Sequence, residues 1–131
     1  VVTNHVYPHF FVTPIRNPPI LWPTVIERGS PVTVVPVEVI PIVVNHTVPT
    51  VGYVVKDRRA ALLYRGDTYK TEEIWSLGRT IPELKAAFIE SSFPNELADL
   101  AKQTKQLTPS LLAAEWRKLL TDHVPVYASH P

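Results

Sequence analysis

The chain has 131 residues, of which 45% are hydrophobic and 19% are charged, and its formal net charge is +1. This length is enough for one domain with a core, and the scattered basic residues argue against a broad nucleic-acid-binding surface. The chain contains no cysteine, which excludes disulfides and thiolate ligands, so a metal site would have to use histidine and carboxylate. No apolar run reaches membrane-spanning length and the first residues show no basic signal-peptide start, so the sequence predicts a cytoplasmic protein, with the periplasm as the alternative.

Prolines dominate the first 49 residues, where nine of the chain's 14 prolines lie. Proline removes a backbone donor and fixes φ, so no helix is expected there. Residues 1–35 are predicted to form a proline-rich covering segment that ends in the first strand. The prolines within strands are expected at sheet edges or bulges.

Six segments have the length and apolar pattern of β-strands. They are residues 31–35, 37–44, 51–55, 60–64, 86–89 and 124–129. The third and fourth are separated by a short polar connection, which predicts a hairpin. The most informative is the run over 60–64, because Gly66 and Asp67 follow it almost at once.

Two helices are predicted between residues 70 and 104. Thr71 is expected to cap a short helix over 72–77 that ends at Gly78, and Asn95 to cap a helix over 96–103. The apolar face of the second helix would consist of Leu97 and Leu100.

A third helix is predicted to begin at Thr108, with Pro109 in its first position. Its buried stripe would consist of Leu111, Leu112, Trp116, Leu119 and Leu120. The side chains expected to face water are those of Glu115, Arg117 and Lys118. The alternation of strands and helices from Ala60 onward predicts an α/β domain with parallel pairing.

Polar side chains with metal-binding chemistry follow several of these strands. His46, Asp67 and His130 each come after a predicted strand end, and they are ligand types suited to zinc or manganese. Glu90 would orient one of the histidines as a hydrogen-bond acceptor. Taken singly, each has an ordinary alternative: Asp67 as a turn residue, the histidines as hydrogen-bonded boundary residues, and Glu90 as a buried structural carboxylate.

Five short motifs, in order, resemble the second half of metallo-β-lactamase-fold hydrolases, and most closely the class II cyclic-nucleotide phosphodiesterases and their bacterial relatives. The motifs are NHTVPTVGYVV at 45–55, LLYRGDT at 62–68, FIESSFPN at 88–95, LTPSLL at 107–112 and VYASHP at 126–131. The resemblance implies that residues 1–131 are the C-terminal half of one αββα sandwich domain, which is incomplete without its first half.

The resemblance also implies a binuclear centre of two divalent metal ions, zinc or alternatively manganese or iron. Carried over by position, it makes His46 a ligand of one metal, His130 a ligand of the other, and Asp67 the catalytic carboxylate that bridges both. The implied reaction is hydrolysis of a cyclic nucleotide or related small phosphodiester by a water activated between the metals.

Two departures from that family pattern affect the expected activity. The motif His-x-His-x-Asp-His, which supplies the remaining metal ligands in the family, is not in the chain. Relatives commonly have Gly-His-Leu-Thr before the third helix, where this chain has Lys105, Gln106, Leu107 and Thr108. Gln106 and Thr108 would lie on the substrate side, but a glutamine cannot act as a general acid, which is typically worth about 10² to 10⁴ in rate.

Two other functions stay open from the sequence. A degenerate, metal-free hydrolase fold would serve as a structural or interaction subunit, and a hydrolase with another substrate would act on a lactone, a sulfate ester or an RNA end. The expected partner is the missing N-terminal half or another chain that supplies it, with a homo-oligomer as an alternative. Without that partner the sheet would expose an apolar face.

Overall fold

The computed structural model describes residues 25–34, 36–119 and 123–129, and it confirms the predicted α/β class. The strands are β1 Val32–Val34, β2 Val37–Val44, β3 Thr50–Lys56, β4 Ala61–Tyr64, β5 Leu84–Glu90 and β6 Val126–Ser129. The α-helices are α1 Glu73–Arg79, α2 Ala98–Thr104 and α3 Pro109–Trp116. Short 3₁₀ turns cover Asn95–Leu97 and Arg117–Leu119. Most of the proline-rich segment predicted over 1–35 lies outside the described residues.

The strands form one six-stranded sheet in which spatial order follows chain order from β1 to β6. The first four strands pair antiparallel, while β4, β5 and β6 pair parallel, as predicted from Ala60 onward. Short connections allow the antiparallel pairs, whereas parallel neighbours require a crossover that α1 and then α2 with α3 provide. Consequently β2, β4, β5 and β6 all run in the same direction, and their carboxyl ends lie along one edge.

Pro41 lies inside β2, where the partner strand β1 has already ended. The last residue of β2 paired with β1 is Val39, and the Pro41 carbonyl instead accepts a hydrogen bond of 2.9 Å from the Gly29 amide. A proline is tolerated there because no neighbouring strand needs its missing donor. Pro41 is therefore not on an edge strand, as β2 lies between β1 and β3, but it faces a locally unpaired side of β2.

One face of the sheet forms the hydrophobic core together with α1, α3 and the 3₁₀ turn over Arg117–Leu119. The buried members of this core are Ile42, Val44, Val54, Ala61, Leu63, Ile74, Trp75, Leu84, Ala87, Ile89, Leu107, Leu119 and Val124. Strand residues alternate between the two faces, so β2 and β4 contribute alternate residues to this core. At Gly52 a Cβ atom would lie 2.9 Å from the Tyr64 carbonyl oxygen, which explains the absence of a side chain there.

The opposite face carries a row of aromatic side chains, which we call the aromatic row. Strand register aligns Tyr53, Tyr64, Phe88 and Tyr127 across four strands. The rings of Phe88 and Tyr127 stack with their centroids 5.2 Å apart. Tyr64 and Tyr127 are nevertheless 50% and 52% exposed, and neighbouring Leu62 is 41% exposed. Apolar surface of this extent on the second face is typical of a sheet that packs against another layer.

Helix α1 differs from its predicted boundaries at both ends. Its N-cap is Glu72, with no side-chain capping bond, and it continues through Gly78 to Arg79, so the predicted cap at Thr71 and the stop at Gly78 are wrong. A Cβ atom at Gly78 would lie 2.9 Å from Leu119 Cδ1 and 3.1 Å from Leu63 Cδ1. The glycine therefore permits close packing of the helix instead of ending it.

The second predicted helix begins with a 3₁₀ turn, and Asn95 does not cap it. The Asn95 carboxamide oxygen instead accepts a hydrogen bond of 3.0 Å from the Ser110 amide, which links it to the first turn of α3. Leu97 and Leu100 are 44% and 41% exposed, so the predicted apolar face of this helix is not buried.

The start of α3 is as predicted, but its buried face is not. Thr108 accepts a hydrogen bond from the Leu111 amide and Pro109 follows as the first helical residue. Trp116, predicted to be buried, is 39% exposed, while Glu115, predicted to face water, is only 1% exposed. The cause is a buried partner for Glu115, together with a change to 3₁₀ geometry after Trp116 that alters the spacing of the stripe.

Of the other four members of that stripe, one is buried, two are partly buried and one is outside the described residues. Leu111 and Leu112 pack against the core while remaining partly exposed, and Leu119 is buried as predicted. Arg117 is exposed as expected, whereas Lys118 is half-buried beside Glu115. Leu120 is outside the described residues. None of the helices in the described part of the chain has the length and apolar character needed to cross a bilayer.

Candidate functional site

The carboxyl ends of β2, β4 and β5 bring three of the sequence-predicted residues to one edge of the sheet. His46, Asp67 and Glu90 are placed there, and we call this region the carboxyl edge. The loops after β2 and β4 are joined by direct hydrogen bonds. The Asn45 amide donates to Thr68 Oγ1 at 3.1 Å, and the Tyr69 amide donates to the Asn45 carbonyl at 2.7 Å. The segments that carry His46 and Asp67 are therefore held against one another.

Asp67 lies in the loop directly after β4 and its side chain is exposed. Gly66 before it has a φ of 62°, a left-handed conformation that favours glycine. Thr68 after it is 2% exposed and anchors the loop through its hydroxyl, which donates to the Tyr69 carbonyl at 2.9 Å. The exposed carboxylate is thus flanked by a turn residue and a buried anchor.

His46 lies in the loop after β2 and is half-buried. Its Nδ1 is 3.2 Å from the carbonyl oxygen of Lys105, the residue that ends α2. This contact brings the start of the Lys105 to Thr108 segment to the carboxyl edge. Gln106 and Thr108, predicted to lie on the substrate side, belong to that segment.

Gln106 and Thr108 both make hydrogen bonds that shape the helices around them. The Gln106 amide donates to the Ala101 carbonyl at 2.8 Å and closes the end of α2. Thr108 is 1% exposed and its hydroxyl caps α3, so this side chain acts in the structure of the helix. A direct role of either residue toward a substrate stays a prediction.

Glu90 is a buried carboxylate at the end of β5, with 9% exposure. The hydroxyl of Ser92 donates a hydrogen bond to its Oε1. The amides of Ser92 and Phe93 donate to the Leu107 carbonyl at 3.1 and 3.3 Å, which ties this loop to the segment before α3. The predicted role of Glu90 in orienting a histidine remains a prediction.

The donor types at the carboxyl edge suit a divalent metal, but their number does not complete a site. Imidazole and carboxylate are ligands that zinc and manganese accept. His130, the predicted ligand after β6, lies outside the described residues. Within residues 25–34, 36–119 and 123–129 there is no group of three His, Cys, Asp or Glu side chains arranged to hold a metal ion. Further ligands would have to come from elsewhere.

Sequence reasoning missed a buried ionic network directly behind the Asp67 loop. Arg65 and Glu115 are 0% and 1% exposed, and Arg65 Nη2 lies 2.9 Å from Glu115 Oε2. The same oxygen accepts from Trp75 Nε1 at 3.0 Å and from the Thr71 amide at 3.1 Å. Lys118 Nζ lies 2.8 Å from the other carboxylate oxygen. Glu115 thereby connects α1, α3 and the end of the loop.

Arg65 is the link between this network and the loop that carries Asp67. Its Nη2 also donates to the Tyr69 carbonyl at 2.7 Å, and its guanidinium carbon lies 4.9 Å from the centre of the Trp75 ring. The sequence held a signal for the burial of Glu115, though not for its partner, because Glu115 is four residues from both Leu111 and Leu119 and so shares their helix face.

The network shifts the pKa of both charged partners. Burial lowers the pKa of Arg65 to about 10, against the attraction of Glu115, so Arg65 remains a cation at neutral pH. Burial by itself raises the pKa of Glu115, but hydrogen bonds from Lys118, Trp75 and the Thr71 amide, with the charge of Arg65, hold it below its ordinary value. Glu115 is therefore an anion at neutral pH, and the buried charges compensate each other.

Comparisons with known proteins find similarity at the level of structure. No protein-family model and no curated protein matches the sequence. The metallo-beta-lactamase fold protein YhfI from Bacillus subtilis superposes with a TM-score of 0.64 and 12% identity, over 82% of this chain and 44% of that chain. Human tRNase Z, short form, matches with a TM-score of 0.56 and 16% identity, over 72% of this chain and 39% of that chain.

A mutant of CmlA beta-hydroxylase matches with a TM-score of 0.53 and 12% identity, over 76% of this chain and 24% of that chain. The chain spans less than half the length of each of these three proteins. The superpositions establish the fold, but at identities this low they do not establish an activity. The chain therefore has the fold of part of a metallo-β-lactamase-type domain, as its five sequence motifs predicted.

Proposed function

We propose that this chain supplies part of the active site of a metal-dependent hydrolase that acts on phosphodiesters, with cyclic nucleotides or related small molecules as substrates. The observation that carries the proposal is the pairing of the His46 and Asp67 loops through Asn45, Thr68 and Tyr69. It places an imidazole and an exposed carboxylate at one edge of a metallo-β-lactamase-type sheet.

In this proposal two divalent metal ions, zinc or alternatively manganese or iron, would lower the pKa of a water and stabilise charge on the phosphate oxygens. His46 and Asp67 would hold them, with Asp67 shared because a carboxylate has two oxygens, and His130 would be the third ligand from this chain. The remaining ligands would come from the partner half of the domain.

Gln106 limits what the chain's own residues contribute to proton transfer. Its carboxamide can orient a substrate oxygen by hydrogen bonding but cannot donate a proton as a general acid. Because general-acid help is typically worth about 10² to 10⁴ in rate, we expect a slow phosphodiesterase or one whose leaving group needs little protonation.

The proposal is tested on the full-length natural protein by elemental analysis and by hydrolysis of bis-(p-nitrophenyl) phosphate and cyclic nucleotides. We expect two equivalents of divalent metal and measurable phosphodiesterase activity that a chelator removes. A full-length protein that binds no metal and hydrolyses none of these substrates would contradict it.

A structural or interaction subunit is the second candidate, favoured by Gln106 and by the lack of a His-x-His-x-Asp-His motif in these 131 residues. It predicts assembly with the partner half irrespective of metal. The same elemental analysis separates the two candidates, since only the hydrolase requires stoichiometric metal.

The aromatic row supports the proposal of a partner half, because it offers an apolar surface on which that half would pack. Tyr64 and Tyr127 are half exposed on the sheet face away from the helices, and a second β-layer would cover them. The partner we propose is therefore the other half of the sandwich, either in the same polypeptide or in another chain.

Residues 1–131 produced alone are expected to self-associate through the aromatic row. Replacing Tyr64 and Tyr127 with lysine should shift the protein toward monomer in size-exclusion chromatography. Replacement of Leu100 with lysine, which also alters an exposed apolar residue but on α2, should leave the association unchanged. A monomeric chain with a sharp, reversible thermal transition would contradict the expectation.

A further inference from the structure

Two hydrogen bonds connect His46 to Lys105, although 59 positions separate these residues in the sequence. His46 Nδ1 lies 3.2 Å from the Lys105 carbonyl oxygen. In return, Lys105 Nζ donates to the His46 carbonyl at 3.4 Å. The histidine is thus held through both its ring and its backbone by one residue.

The position of the Lys105 carbonyl depends on an uncommon backbone conformation. Lys105 has φ 53° and ψ 51°. Among the described residues it is the one residue other than glycine with a positive φ. The Gln106 amide bonds to Ala101 and the Lys105 amide to Lys102, the pattern of a left-handed helix C-terminus in which glycine is usual. A lysine there bears a conformational cost that a glycine would not.

The chemistry of the ring contact determines which nitrogen of His46 carries the proton. A carbonyl oxygen accepts hydrogen bonds and cannot donate them, so Nδ1 must be the donor. In a neutral imidazole only one nitrogen is protonated, which leaves Nε2 with a free electron pair. Nε2 is then the nitrogen able to bind a metal ion.

We propose that Lys105 is a positioning residue that holds His46 as the Nδ1-protonated tautomer, with Nε2 as its metal-binding atom. The assignment of the tautomer follows from the contacts alone, whereas the metal-binding part rests on the proposed function. Hydrogen bonds of this kind to the second nitrogen of a ligating histidine typically change metal affinity by about 10- to 100-fold.

The test is nitrogen-15 NMR of the histidine rings in the metal-free, full-length protein at a pH where His46 is neutral, with His46→Gln used to assign its signals. We expect the pattern of a protonated Nδ1 and an unprotonated Nε2, and a shift of Nε2 on addition of zinc. A protonated Nε2 in the metal-free protein would overturn the proposal.

Two variants of Lys105 separate the carbonyl from the side chain. Lys105→Gly retains the left-handed conformation and the carbonyl, so the tautomer should persist. Lys105→Pro cannot adopt a positive φ, so the carbonyl moves and the tautomer preference should be lost, with zinc affinity about 10- to 100-fold weaker. Loss of the preference in Lys105→Gly would also overturn the proposal. The expected tautomer with no response to zinc would uphold the role of Lys105 in orienting the ring while contradicting the hydrolase.

Discussion

Replacing Glu115 with glutamine should lower the free energy of unfolding by about 3 to 5 kcal/mol, the usual cost of removing one partner of a buried ion pair. The substitution keeps the size of the side chain but removes the charge that compensates Arg65, which is 0% exposed. Trp75 and the Thr71 amide would also lose part of their shared acceptor. Denaturant unfolding of the full-length protein measures the effect.

Glu96→Gln is the matched control, because Glu96 is exposed and its substitution should change stability by no more than about 0.5 kcal/mol. The double variant Arg65→Met with Glu115→Gln should lose less free energy of unfolding than the two single variants lose together. The difference, which is the coupling energy of the pair, should be about 0.5 to 3 kcal/mol. A Glu115→Gln protein as stable as the Glu96→Gln protein would show that the pair is not needed.

The same pair predicts how stability responds to acid. The pKa of folded Glu115 is held below its ordinary value of 4.5, so the folded state binds this proton less readily than the unfolded state. Its contribution is therefore present above about pH 4.5 and is lost as the pH falls through the lowered pKa. Glu115→Gln should show a shallower loss of stability below that pH than the parent protein.

Replacing Asp67 with asparagine should remove most of the phosphodiesterase activity proposed for the full-length protein. Asparagine has the same shape but lacks the negative charge that a side chain shared by two cations would need. Stabilisation of the transition state by a metal is worth several kcal/mol, so activity should fall by at least about 100-fold. Metal content should fall as well, and elemental analysis measures it directly.

Asp99→Asn provides the comparison for Asp67, since Asp99 is an exposed aspartate in the first turn of α2 and away from the strand ends. It should retain both metal and activity. In the absence of metal, the thermal midpoint of Asp67→Asn should match that of the metal-free parent, because the Asp67 side chain is exposed. Equal metal content and activity in the two variants would contradict the role of Asp67.

Much of the sheet could be predicted from local patterns. The alternation in residues 37–44 and the short connection after Lys56 locate β2, β3 and β4 within one or two residues of their observed ends. Such patterns are local, because neighbouring strand residues point to opposite faces whatever lies beyond them. The edge shared by His46 and Asp67 follows from two successive antiparallel pairings, because β2 and β4 both pair antiparallel with β3 and so run in the same direction.

Contacts between distant residues were beyond that reasoning. Glu115 was expected to be exposed because its side chain is charged. Its compensating partner Arg65 is 50 residues away in the sequence and is adjacent only in the folded structure. Gly78 suggested a helix end, while the close approach of Leu63 and Leu119 requires it inside the helix. Asn95 suggested a cap for its own helix and instead binds the amide of Ser110.

The sequence by itself determined the strands, the start of α3 at Thr108 and the likeness to a metallo-β-lactamase-type fold, because hydrophobic periodicity, capping and short motifs are properties of neighbouring residues. Only the tertiary structure decided that Arg65 and Glu115 are buried together and that Lys105 meets His46. Those contacts join segments 50 and 59 residues apart, and their energy depends on a water-excluded environment that exists only after the chain has folded.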